Sequence, residues 1–102
     1  MVAQFLKDKL PEVIQTLKTH RVKKAYAFGS VCTDKFNLKS DIDLLIDFNT
    51  EDSFTGYAEN FWELEEKLRA ILNRKVDLLP THTLRNPYFI EEIEETKILL
   101  YE

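Results

Sequence analysis

The sequence predicts a single α/β domain in which a small mixed β-sheet carries helices packed on it. Three observations lead there. Short β-prone runs, KAYAF, DIDLLIDF and KVDLL, alternate with segments of helical periodicity. The chain of 102 residues is long enough for one core and too short for two, so residues 1–102 are expected to form one domain. No linker, repeat or low-complexity stretch divides it. Strands interleaved with helices indicate a sheet covered by helices, α/β or α+β in class.

Each element follows from local pattern. Residues 2–19 place Phe5, Leu6, Leu10, Val13, Ile14 and Leu17 at helical spacing, with Pro11 expected to kink the helix or split it in two. Lys24 to Phe28 reads as a strand meeting a Gly29-Ser30 turn, with a helical turn opening at Ser30. Asp41 to Phe48 reads as the second strand. From Tyr57 to Leu72, the positions Tyr57, Phe61, Leu64, Leu68 and Ile71 recur at intervals of four and three, the apolar face of an amphipathic helix. Trp62 flanks that stripe and is expected in the core or at its rim. Lys75 to Leu79, stopped by Pro80, makes a third strand; Asn86-Pro87 opens a helix running to about Thr96. The closing KILLY suits a last short strand.

Composition narrows function only by exclusion. Hydrophobic residues make up 44% and charged residues 31%, which suits an enzyme and a binding module equally. The net charge is -4 and no basic run exceeds Lys23-Lys24, so stable binding to a nucleic-acid backbone is not expected. No apolar run approaches the ~18 residues of a membrane span, and the N-terminus lacks a cleavage-type pattern; a cytoplasmic location and no membrane association are expected. Cys32 is the only cysteine, which excludes an internal disulfide. Nothing around it would activate the thiol, so it is read as a partly buried loop residue. His20 and His82 stand alone, against zinc ligation, and are expected in surface loops. With only Gly29 and Gly56 in the chain, neither a P-loop nor a G-x-G-x-x-G fingerprint can be written. Ser30 lacks a nucleophile-elbow context.

What remains is acidic. Strand side chains alternate faces, so Asp41 and Asp43 project together, with Cα atoms about 6–7 Å apart, while Ile42 and Leu44 face the core. Two such carboxylates repel unless a positive charge lies between them. A divalent cation satisfies both, and oxygen-preferring Mg²⁺ is commonly held by one or two carboxylates plus substrate phosphates. Asp77, between Val76 and Leu78, joins them if the third strand pairs beside the second; taken alone it is equally explained as a solvated strand end. Gly29-Ser30 offers close backbone approach, a hydroxyl and free N–H groups to a phosphate.

Gly29-Ser30, ten intervening residues, Asp41-x-Asp43 in an apolar strand and a later strand Asp77 together resemble the nucleotidyltransferase superfamily that includes DNA polymerase β. The spacing, the length and the closing NPYFIEEIEETKILLYE look like its minimal nucleotidyltransferases, the MNT proteins. The resemblance implies that Gly29 and Ser30 contact a triphosphate, and that Asp41 and Asp43 ligate two magnesium ions. Asp77 would bind one of them and draw the proton from an attacking hydroxyl. The implied chemistry moves AMP from ATP to that hydroxyl, with two metals about 4 Å apart stabilising the entering and leaving oxygens. One departure stands out: many relatives carry an arginine just after Gly-Ser, whereas Val31, Cys32, Thr33 and Asp34 contain no base. Lys35 and Lys39 are the nearest cations in that loop.

At 102 residues the chain is not expected to include a separate acceptor-binding domain. MNT proteins typically accompany HEPN ribonuclease toxins and modify a tyrosine near the toxin's active site, so the resemblance implies an antitoxin with a HEPN partner and a hetero-oligomeric complex. Two alternatives differ in class: a non-catalytic module that silences its partner by docking, and a stand-alone transferase acting on a small molecule or an RNA end. Glu91, Glu92, Glu94 and Glu95 read as the solvated face of the last helix, with Phe89 and Ile93 opposite; the second reading is contact with a basic nuclease surface.

Overall fold

The computed structural model describes residues 4–32, 41–48 and 56–102. Helix α1 (Gln4–Thr19) buries Leu6, Val13 and Leu17 and runs through Pro11 as one element. Of the kink or split expected at Pro11, the split does not occur. Pro11 and Lys7 both lie on the exposed side, where water can serve the Lys7 carbonyl that the proline leaves without its usual N–H, while the opposite face is held against the core.

Strands β1 (Val22–Phe28), β2 (Ile42–Phe48), β3 (Val76–Pro80) and β4 (Ile98–Tyr101) form a four-stranded sheet of order β3-β2-β1-β4. β1 pairs antiparallel with β2 and with β4, whereas β2 and β3 run parallel, so the sheet is mixed as expected. A parallel pair requires a crossover, and α2 (Tyr57–Leu72) is part of it. The even-numbered residues of β2, Ile42, Leu44, Ile46 and Phe48, enter the main core with Val76 and Leu78 of β3; Leu6, Leu17, Leu64, Leu68 and Leu72 meet them from α1 and α2. Each fully buried leucine there contributes roughly 1.5–3 kcal/mol from burial.

The other sheet face is covered by α3 (Pro87–Thr96), which seats Ile93 on Phe28 and Leu45 in a second, smaller core. Its start is fixed by Asn86, whose side chain accepts from the N–H groups of Tyr88 (2.9 Å) and Phe89 (3.4 Å), with Pro87 in the first turn. Phe28 and Phe89 meet edge to face at 6.2 Å between centroids. Among the described residues no helix is long and apolar enough to cross a membrane.

Two side chains depart from expectation. His20 is not a surface residue: it is 4% exposed, with Nδ1 2.8 Å from the Thr16 carbonyl and Nε2 3.5 Å from Glu63. Arg21, at φ 66°, turns the chain sharply after α1, and Asn60 of α2 donates to the His20 carbonyl at 2.9 Å, which tucks the imidazole under α2. Trp62 is neither core nor rim but 65% exposed, because it lies off the Leu64–Leu68–Leu72 stripe that faces the sheet.

Candidate active site

The site is built by strand register. In the parallel pair Asp43 lies opposite Asp77, and in the antiparallel pair Asp43 lies opposite Phe28. All three side chains therefore share the α3 face of the sheet. The chain leaving Phe28 turns directly over Asp43 through a 3-10 turn, Gly29–Cys32, that carries Ser30. Gly29 has φ +74°, and a Cβ added there would stand 2.6 Å from Asp43 Oδ2. Both conformation and space call for glycine. Its N–H donates to Thr96 Oγ1 at 3.2 Å, which ties the turn to the end of α3.

Asp43 is half-buried, and its carboxyl is pushed up to about 6. Burial is the largest cause, followed by the charge and a hydrogen bond of Asp77 and the charge of Asp41; Lys75 opposes them. The facing carboxylates of Asp43 and Asp77 form an all-oxygen donor set suited to a hard cation. Asp41 sits just before β2, and Lys75 Nζ links it to Asp77, 3.9 Å from Asp41 Oδ2 and 3.9 Å from Asp77 Oδ1. The expected convergence is therefore strongest for Asp43 and Asp77, with Asp41 joined through Lys75. Among the described residues no three His, Cys, Asp or Glu side chains converge tightly enough to enclose a metal ion by themselves.

A cavity of about 310 Å³ opens beside the acidic pair, between the sheet and α3. Gly29, Asp43 and Asp77 form one end; Phe28, Leu79 and Phe89 form apolar walls, and Glu92 and Thr96 contribute polar atoms. Asp41 and Ser30 do not line it. Glu92 is thus more than part of a solvated face. Sequence reading also missed Lys75, Phe89 and Thr96. Lys75 shares its side of the chain with Asp77, a parity signal that was available, whereas Thr96 reaches Gly29 only through the tertiary fold. Lys35 and Lys39 lie outside the described residues. Cys32 is partly buried, and burial pushes its thiol up, as befits an unactivated side chain.

A mixed sheet that sets two strand acids beneath a Gly-Ser turn defines a nucleotidyltransferase fold. The family pattern described as Polymerase beta, Nucleotidyltransferase matches residues 11–102, and the chain belongs to that family. Two chains of Methanocaldococcus jannaschii named as protein adenylyltransferases are similar along nearly their whole length. One is 36% identical over 94 residues, covering 91% of this chain and 92% of its own. The other is 34% identical over 97 residues, covering 87% and 95%. Among solved structures, a minimal nucleotidyltransferase superposes with a TM-score of 0.76 at 23% identity, covering 96% of this chain and 95% of that one. A toxin–antitoxin structure with AMP-PNP gives 0.70 at 23% identity, over 90% and 72%. A Shewanella oneidensis tri-AMPylated HEPN toxin in complex with MNT antitoxin gives 0.65 at 21% identity, over 93% and 71%. These structures attest the fold, and the resemblance read from the sequence holds in both family and fold.

Proposed function

We propose that the protein transfers AMP from ATP to a hydroxyl of a partner protein, a tyrosine of a HEPN ribonuclease toxin, and thereby acts as its antitoxin in the cytoplasm. The observation that carries this reading is the register-locked Asp43–Asp77 pair beneath Gly29. The names of the relatives supply the direction: protein adenylyltransferases in sequence, and a tri-AMPylated HEPN toxin with its MNT antitoxin in fold.

Asp41, Asp43 and Asp77 would hold two Mg²⁺ ions, whose charge when bound offsets that of the carboxylates and of the triphosphate. Gly29 lets the backbone come close to the phosphates, and Ser30 offers its hydroxyl to them. Asp43 gives up the proton that burial and its neighbours favour before it serves as a ligand. Asp77, the more exposed of the pair, takes the proton of the acceptor hydroxyl as the new oxygen–phosphorus bond forms at the α-phosphate and pyrophosphate leaves. Phe28, Leu79 and Phe89 give the cavity beside the pair its apolar lining.

The test is intact-mass measurement of a HEPN protein encoded beside this one after incubation with this protein, ATP and Mg²⁺. The partner should gain AMP and lose ribonuclease activity, and the Asp41→Asn, Asp43→Asn double variant should do neither. An unchanged partner mass, with neutralisation kept by the double variant, would replace catalysis with docking.

A further inference from the structure

Lys75 occupies an unusual position between two of the acids. Its backbone is anchored, because the N–H of Ile42, the residue between Asp41 and Asp43, donates to the Lys75 carbonyl at 3.1 Å. Its side chain leaves the chain on the same side as Asp77, with buried Val76 between them. The ammonium end is loosely held. It is 61% exposed, and at 3.9 Å both carboxylate contacts exceed ordinary hydrogen-bond length. Exposed pairs of this kind exchange at little cost.

A lysine ammonium is a compact charge on a flexible stem, which suits it both to stand beside carboxylates and to bind phosphate. An ammonium and a divalent cation cannot both occupy the same two carboxylates, since like charges about 4 Å apart repel even in water. Away from the acids, Lys75 also borders an open depression with Arg69, Asn73 and Arg74. The residues directly after Ser30, Val31 to Asp34, contain no base.

We propose that Lys75 is a substrate-binding residue with two successive partners: Asp41 and Asp77 in the metal-free protein, and the triphosphate of the incoming nucleotide once a divalent cation has taken those carboxylates. The proposal rests on the nucleotidyltransferase reading of the site and supplies the positive charge that the segment after Gly29-Ser30 lacks.

Two equilibrium titrations test it, on wild type, Lys75→Met and Lys75→Arg. The first follows Mn²⁺ without nucleotide, the second a non-hydrolysable ATP analogue at saturating Mg²⁺. Lys75→Met removes a competing cation, so Mn²⁺ alone should bind about threefold tighter, within the range of an exposed ion pair. The same variant loses a charge-assisted phosphate contact, so the analogue should bind about tenfold weaker. Lys75→Arg should recover most of the analogue affinity. A fold defect would weaken both affinities together; opposite signs are the signature of the exchange. Wild-type nucleotide binding with no loss in Lys75→Met overturns the role of Lys75 and leaves the nucleotidyltransferase reading standing. A wild-type protein that binds neither Mn²⁺ nor the analogue overturns both.

Discussion

Gly29 lies so close over Asp43 that a Cβ would stand 2.6 Å from Oδ2, on a backbone already in the left-handed region at φ +74°. Turn and carboxylate are one packed unit. Gly29→Ala is expected to lower stability by about 2 kcal/mol, combining left-handed strain with displacement of Asp43. Urea unfolding measures the loss, and a change below about 0.5 kcal/mol would mean that the turn yields without strain.

Asp43 gives the metal-free protein a pH dependence of definite sign. Its folded-state value, about 6, is raised above the ordinary aspartate value. Its contribution to stability is therefore complete below about pH 4 and is lost as pH rises through about 6. Asp43→Asn removes that loss. In EDTA near pH 8 it should stabilise the protein by about 1 kcal/mol, a figure reduced for the screening of a half-exposed group. Near pH 4 the two proteins should coincide, and an equal gain at both pH values would point to packing instead of charge.

Thr96 accepts the Gly29 N–H from sixty-seven residues away. Thr96→Val keeps the shape and removes the acceptor, which leaves a part-buried donor unpaired at a cost of about 1 kcal/mol. Hydrogen exchange at the Gly29 amide should accelerate by about fivefold, the equivalent of that energy, and Thr96→Ser should restore protection. Unchanged exchange would show that another acceptor serves this amide.

Ile93 is 1% exposed at the centre of the smaller core, against Phe28 and Leu45. Ile93→Ala should cost about 2–4 kcal/mol, since the cavity lies under a helix of only ten residues. Trp62→Ala, at an exposed position, should stay within about 0.5 kcal/mol. Thermal unfolding of the pair separates core from surface directly.

What could be read before the structure was what local period controls. The Tyr57–Leu72 helix and the Asn86 cap with its helix to Thr96 follow from a spacing of 3.6, and the core-facing alternation of Ile42 and Leu44 from a spacing of 2, within short windows. The choice between a one-piece and a split α1 is open in the sequence at Pro11, and the tertiary contacts of Leu6, Val13 and Leu17 decide it. The burial of His20 was not legible, because it depends on a left-handed Arg21 and a hydrogen bond from Asn60. Around the site, the acids were visible and their supports were not. Lys75 left only its parity with Asp77, and Thr96 matters because α3 is brought beside Gly29, a pairing that leaves no mark in a local window.

The parallel partnership of β2 and β3 also sets a timetable. During synthesis Gly29, Ser30, Asp41 and Asp43 emerge first, and β1 and β2 can already form their antiparallel pair. The neighbour of Asp43 arrives only after α2 has been made, and non-local parallel pairing of this kind is slow. An unfinished chain thus holds the Gly29-Ser30 turn without the second acid opposite Asp43. The pair is completed when the crossover closes and Asp77 comes into register, and α3, made later still, then ties Gly29 through Thr96.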